Sequence, residues 1–328
     1  MERMLKMKKH IALLCAVLLL LAALTGCAKG KEEARPAGSE NPDETAEAAE
    51  ETSAPERQHG DRFEDVITIE GMEETIKLQH FVNETAGFAM DYDYESFVCR
   101  ASSDRLQIVS AYDDPETSEN YHEVSYCPED AETVADAIEK TLSEDYAVSR
   151  DTAVLNSGLE CIHMDASATP DGAYTADVLQ AVYVIPAADG CRVAHLRYLP
   201  EGSDGFGKRL SHMASTVTVM EPQGERAMSD VQACAAIERY CYASNPDLKG
   251  IVDSGEHPVS WQITEYSEEQ IVILFRSYTG AEVRYYIDPV SGEAYSTEFV
   301  SGVTAEEQRT DETLNVWDYM NWWKSRLK

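Results

Sequence analysis

Residues 128–142, Pro-Glu-Asp-Ala-Glu-Thr-Val-Ala-Asp-Ala-Ile-Glu-Lys-Thr-Leu, decide the fold class. Pro128-Glu129-Asp130 opens the segment, acids sit early where a helix dipole favours them, and Val134, Ile138 and Leu142 recur at four-residue spacing. That is an amphipathic helix, and strand patterns lie on both sides of it. Upstream, Val66 to Ile69, Gly71 and Thr75 to Phe81 read as a hairpin, followed by strands at Gly87 to Tyr92, Phe97 to Arg100, Leu106 to Tyr112 and Glu123 to Cys127. Downstream, strands return at Ala147 to Leu155, Leu159 to Asp165, Ala176 to Ile185 and Arg192 to Leu199. A short helix from Phe206 to Met213 then leads into Ser215 to Met220. Strands in runs around one central helix predict an antiparallel α+β domain over residues 63–222, not an alternating β-α-β array.

Glu221-Pro222-Gln223-Gly224 marks a boundary, and residues 225–328 read as a second, smaller domain. A helix over Met228 to Ser244 ends at Asn245-Pro246. A meander follows: Ser260 to Tyr266, Gln270 to Tyr278, Ala281 to Asp288 and Ala294 to Phe299. If Thr279-Gly280 is a two-residue turn, Val272, Leu274, Tyr278, Val283, Tyr285 and Ile287 share one face and Ile271, Ile273, Phe275 and Tyr286 the other. The helix covers only one face. Leu314, Trp317, Met320, Trp323 and Leu327 recur as in an amphipathic helix, which predicts a Trp-rich tail packed on the open face. The alternative places Trp322, Trp323, Lys324, Arg326 and Lys328 at a membrane interface.

The N-terminus carries a location signal. Behind Lys6, Lys8 and Lys9, an apolar run from Ile11 is too short for a stop-transfer helix and closes on Leu24-Thr25-Gly26-Cys27. These four residues resemble the lipobox of bacterial lipoproteins. The resemblance implies that residues 1–26 are a signal peptide, that Cys27 is lipidated, and that the chain is held outside the cytoplasmic membrane. From Ala28 to Arg62 there is no Val, Ile, Leu, Met, Phe, Tyr or Trp, so residues 27–62 are expected to form a disordered acidic tether. Lys and Arg number 27 against 60 Asp and Glu, a formal charge of −33, which excludes nucleic acid as a partner and favours cations and cationic peptides.

Two further resemblances concern fold. The hairpin, the strand Gly87-Phe88-Ala89-Met90-Asp91-Tyr92, the single helix and the closing Gly205-Phe206-Gly207-Lys208-Arg209-Leu210 are similar to the PsbP/Mog1-type α/β sandwich, a scaffold of binding and accessory proteins. A helix followed by a meander, with Tyr286-Ile287-Asp288 running into Ser291-Gly292-Glu293, resembles a PepSY-like domain. That resemblance implies a role in restraining peptidases and carries no catalytic residues.

Motifs for chemistry are missing from the sequence: no H-E-x-x-H, G-x-S-x-G, P-loop or Rossmann glycine pattern. Ser325 and Lys328 match Ser-x-x-Lys only at the final residues. His80, His122, His163, His195 and His212 are scattered, so no catalytic residue, metal site or cofactor is expected. Asp91, Asp93 and Glu95 alternate as calcium ligands could, but Ser96 and Ser102 stand where an EF-hand needs Gly and an acid, and a solvated acidic edge is preferred. Among the thiols Cys99, Cys127, Cys161, Cys191, Cys234 and Cys241, Cys161 and Cys191 are candidate neighbours for a disulfide, with buried free thiols as the alternative. The expected function is non-catalytic binding of an envelope protein or peptide through Arg276, Tyr278, Arg284, Tyr285 and Tyr286. The alternative is a small ligand or cation held in the first domain by acids such as Asp91 and Asp93.

Overall fold

The structure, a computed structural model, describes residues 57–114, 118, 120–321, 323 and 324. The export-like segment, Cys27 and residues 27–56 of the expected tether lie outside the described residues. Alternating side chains and Gly-centred turns produce three antiparallel sheets. The first strands, β1 (Arg62–Ile69) and β2 (Met72–Asn83), meet at Glu70-Gly71, where φ values of 51° and 79° make the two-residue turn that a right-twisted hairpin needs. Next come β3 (Phe88–Asp93), β4 (Phe97–Ala101), β5 (Arg105–Ser110) and β6 (Tyr121–Cys127). Helix α1 (Ala131–Leu142) interrupts the strands, capped by Asp130, whose carboxylate accepts from the Thr133 amide at 3.0 Å. The run continues through β7 (Ala147–Val154), β8 (Glu160–Ala168), β9 (Thr175–Ala187) and β10 (Gly190–Tyr198), then α2 (Lys208–Ser215) and a two-residue strand, β11 (Thr218–Val219).

Strands pair as β1-β2-β3-β11 in one sheet and β4-β5-β6-β10-β9-β8-β7 in another. One face of the seven-stranded sheet packs Met164, Val182, Val184 and Val193 against Val134, Ala135, Ile138 and Leu142 of α1. Its other face packs Leu106, Ile108, Val124 and Leu196 against Phe88 and Met90 of β3 and Leu210 and Met213 of α2. The large sheet is therefore a middle layer, apolar on both sides.

The third sheet is β12 (Ser260–Tyr266), β13 (Ile271–Arg276), β14 (Ala281–Ile287), β15 (Glu293–Val300) and β16 (Gln308–Asn315), in that order. Helix α3 (Asp230–Ser244) starts with a reciprocal capping box between Ser229 and Gln232 and lays Ala233, Ala236, Ile237 and Cys241 on Ile271, Ile273, Tyr285 and Ile287. Asn245-Pro246 ends α3 but also opens α4 (Asp247–Ser254), a helix the sequence reading did not include, because Pro is tolerated where no intrahelical donor is needed.

Several expectations are corrected. The tail is not a helix from Leu314: Leu314 lies on β16, Val316–Tyr319 is a single 3-10 turn, and Leu327 lies outside the described residues. Val316, Tyr319 and Met320 fill the core beneath α3, whereas Trp323, 1% exposed, enters the core beside α1. A membrane role for Trp323 and Lys324 does not fit, since the ring is buried and the Lys324 ammonium is 2.6 Å from Glu129. The strand register is also one residue from the expected one. Arg276 pairs with Glu282 and Ile273 with Tyr285, because the loop is Tyr278-Thr279-Gly280, with Gly280 at φ 84°. Ile271, Ile273, Phe275, Val283, Tyr285 and Ile287 therefore share the face beneath α3, and Val272, Leu274, Arg284 and Tyr286 share the other.

The described fold begins before Phe63. His80 and the pair Gly60 and Asp61 exchange backbone hydrogen bonds of 2.8 Å, and the Arg57 guanidinium lies 3.8 Å from the Phe63 ring centroid, so residues 57–62 belong to the sheet's edge and not to a tether. Asp91 and Asp93 are buried, not a solvated edge; His80 holds Asp91 at 2.6 Å, Arg209 holds Asp93 at 2.7 Å, and Lys77 holds Glu95 at 2.7 Å. Cys161 and Cys191 project to opposite faces of the middle sheet, one in the core facing β3 and the other in the core facing α1, so they cannot bond.

Candidate functional site

The residues expected to bind a partner are split by the register. Tyr285 is 4% exposed beneath α3, its ring 5.9 Å from that of Tyr240, so it cannot meet a partner. Burial pushes its hydroxyl well up, keeping it neutral. Arg276, Arg284 and Tyr286 share the outer face, but their charges are already matched. Glu282 pairs with both arginines, and Glu307 lies 3.1 Å from Arg284 and also accepts from Tyr286. Tyr286 stacks on Tyr295 with centroids 4.9 Å apart, and Tyr278 stands in the loop, 42% exposed. The structure brings three of the five together. Cys27 lies outside the described residues.

A better-formed site lies elsewhere. A cavity of about 480 Å³ opens between the end of β6, the segment before α3 and the 3-10 turn after β16. Tyr126 reaches it from β6. The Arg226 guanidinium lies 3.4 Å from the Tyr126 ring centroid, and the buried Arg192 lies 4.7 Å from the same centroid. Trp317 lines the cavity from the turn. The turn is fixed by Asn315, which accepts from the Trp317 amide at 3.0 Å, and by the indole, which donates to the Val290 carbonyl at 3.0 Å. Gly292 is required below it: φ is 73°, and a Cβ there would collide with the Trp317 ring.

Glu129 and Lys324 form one wall. Burial pushes the Glu129 carboxyl up, but hydrogen bonds from the Cys127 thiol at 2.8 Å and from Lys324 at 2.6 Å, with the lysine's charge, outweigh it and hold the group below the usual carboxylate range. Asp104 forms another wall, accepting from Gln232 at 2.6 Å and from Ser102 at 2.8 Å. Behind it, Arg105 and Arg239 both donate to the Met320 carbonyl, at 3.0 and 3.1 Å. The lining carries four acids, Asp104, Glu129, Glu225 and Asp318, against Arg226 and Lys324, so its balance is negative like that of the whole chain.

Cys127, beside Glu129, is fully buried; contact with the Cys191 thiol, burial and the neighbouring Glu129 push its thiol well up, so it offers no thiolate. His163 and His195 lie in separate settings. His163 pairs with Asp151 at 2.9 Å, and His195 bonds Gln180 at 2.8 Å while burial pushes its imidazole down to about 3. Among the described residues no group of three or more His, Cys, Asp and Glu is placed to hold a metal ion, and no helix is long and apolar enough to cross a membrane. Sequence reasoning missed Tyr126, Arg226 and Glu129 as site residues, because they meet Trp317 only through the third dimension.

No protein-family model matches the chain, and no curated protein matches it. Among solved structures, the cyanobacterial PsbP of Synechocystis sp. PCC 6803 is 11% identical with a TM-score of 0.32, covering 43% of this chain and 92% of its own. A mutant of the protein Mog1 is 13% identical with a TM-score of 0.30, covering 44% of this chain and 96% of its own. A protein of Bacteroides thetaiotaomicron VPI-5482 is 13% identical with a TM-score of 0.29, covering 76% of this chain and 92% of its own. At these scores the likenesses say nothing about what this chain binds.

Proposed function

We propose that this chain is an extracytoplasmic lipoprotein, anchored through a lipid on Cys27, that binds a cationic peptide segment of an envelope partner without catalysing a reaction. The observation that carries the binding reading is the cavity lined by Tyr126 and Trp317, whose excess of carboxylates suits an apolar stem ending in an ammonium or guanidinium; an incoming cation would take the place that Arg226 now holds over the Tyr126 ring. The two-domain organisation, a PsbP/Mog1-like sandwich over 63–222 followed by a PepSY-like domain, belongs to the same proposal, as does modulation of a peptidase. In that arrangement the cavity sits where the domains meet, so a bound peptide would touch both.

Titration of the full chain in detergent with short Lys- and Arg-containing peptides, read by calorimetry, tests this. Binding is expected with basic peptides and not with acidic ones of equal length, weakening about tenfold or more in Tyr126→Ala. Equal binding by both peptide classes removes the charge argument. A second surface is favoured by one observation, the stacked Tyr286 and Tyr295 pair with Arg309 at 4.0 Å. Loss of binding in Tyr286→Ala, with Tyr126→Ala unaffected, would move the site there. Cys27→Ala is expected to release the chain from the membrane fraction; retention would end the anchor reading.

A further inference from the structure

Cys127 closes β6 and Cys191 lies at the start of β10, and the two are direct partners in the antiparallel ladder at the centre of the seven-stranded sheet. Residues opposite each other in such a ladder have Cα atoms about 4.5 or 5.5 Å apart, and either spacing lies within the roughly 4.4–6.8 Å that a disulfide spans. Both side chains project to the face that α1 covers and pack in the same core cluster, both are fully buried, and the two thiols are near enough for Cys191 to raise the Cys127 thiol. The backbones converge here as well. Gly190, at φ 128°, has no space for a side chain, because a Cβ would run into the Cys127 carbonyl.

No other pair of described cysteines is placed this way. Cys99 faces Ile108 across its ladder and Cys161 faces Ala153. Cys234 and Cys241 lie on one helix, roughly 10 Å apart along its axis. Burial that leaves the other thiols single thus leaves these two in contact.

We propose that Cys127 and Cys191 are a disulfide-forming pair that bonds β6 to β10 across the intervening α1, β7, β8 and β9. The oxidant is a small-molecule or protein disulfide. One of the two thiols, as thiolate, breaks the oxidant's S–S bond to form a mixed disulfide and release one thiol; the second then breaks the mixed disulfide, the Cys127–Cys191 bond forms, and the two thiol protons end on the two thiols released from the oxidant. The inference is independent of the cavity reading. Trp323 packs in the same core and the Glu129–Lys324 pair stands beside Cys127, so the exchange belongs to a stage before Trp323 and Lys324 dock. In the docked protein neither sulfur is exposed.

The test refolds the fully reduced full chain in detergent with oxidised glutathione, alkylates remaining thiols and maps the peptides by mass spectrometry without reduction. The expected product joins the peptide containing Cys127 to that containing Cys191, two hydrogens lighter, with Cys99, Cys161, Cys234 and Cys241 alkylated. Alkylation of both Cys127 and Cys191, or a bond from either to another cysteine, overturns the proposal. A second measurement applies the same oxidant to the folded, reduced protein: Trp323→Ala is expected to bond about tenfold faster than the parent, because access limits the exchange. A melting temperature that rises on oxidation in the parent and not in Cys191→Ser supports the pair; an equal rise in both overturns it.

Discussion

His122 is the residue whose burial is least compensated. It is 0% exposed in the centre of the middle sheet, both ring nitrogens lack a hydrogen-bond partner, and burial pushes it down to about 3. The folded state therefore holds it neutral while the unfolded chain protonates it near 6.5, so unfolding takes up a proton between those values. Stability contributed by the neutral ring is full above about pH 6.5 and falls by about 1.4 kcal/mol per unit as the pH drops towards 3. His195 adds a parallel loss. In urea unfolding at several pH values from 7 to 4.5, His122→Leu is expected to have a shallower slope than the parent by one histidine's share; identical slopes would mean the ring is not held neutral. Gly292→Ala offers a second check at this scale. With φ at 73° and Trp317 in the way, it is expected to cost about 1–3 kcal/mol and to shift tryptophan emission. Gly302→Ala, at φ 79° in open space, is expected to cost less and leave emission unchanged.

Trp323 and the strand before it illustrate both the reach and the failure of periodicity. The strands of the first half were legible because short apolar runs are separated by turn residues, and α1 because Val134, Ile138 and Leu142 all meet the same sheet. The tail misled because Leu314, Trp317, Met320 and Trp323 keep a helical spacing while serving a strand, a 3-10 turn and two different cores. β16 itself was hidden because two of its inward positions, Thr310 and Glu312, are polar and only Leu314 is apolar. Ser296 bonds both Thr310, at 2.6 Å, and Glu312, at 2.7 Å, and Tyr240 donates to the same Glu312, so no apolar alternation marks the strand. The register slip came from one loop residue, Tyr278, and it exchanged the surroundings of Val283, Tyr285 and Ile287 for those of Arg284 and Tyr286. Trp323→Ala is expected to cost about 3–5 kcal/mol in chemical unfolding, the range for deleting a buried aromatic. Removing residues 313–328 is expected to lower the melting temperature further, since it also cuts β16 and the core beneath α3; an unchanged value would show that the tail is not a structural part.

Across the molecule, the two cores are joined by polar contacts that composition could not reveal. Gln232 caps α3 and also reaches Asp104 and Ser102, and Arg105 and Arg239 converge on one carbonyl at Met320. In Arg239, burial and then the positive Arg105 favour proton loss, so the carboxylates of Asp104 and Glu123 near Arg105 are needed to hold the pair of cations. The site shares this property: Tyr126 and Glu129, Arg226, and Trp317 come from three segments far apart in sequence, and no local pattern joins the three. With the halves so coupled, calorimetry of the full chain is expected to give one cooperative transition, whereas Gln232→Ala combined with Trp323→Ala is expected to split or broaden it.

The ion pair between Glu129 and Lys324 spans 195 positions of sequence. Any route that delivers the chain N-terminus first, a ribosome or a membrane pore, releases β10 well before Trp323. At about 5–20 residues per second, the roughly 130 residues between Cys191 and Trp323 correspond to an interval of about seven to twenty-five seconds. For that interval an apolar recess beside α1 stands open to water, to chaperones and to thiol chemistry, and it closes when the C-terminal segment arrives. Maturation of the first half is thus timed by residues that belong to the second.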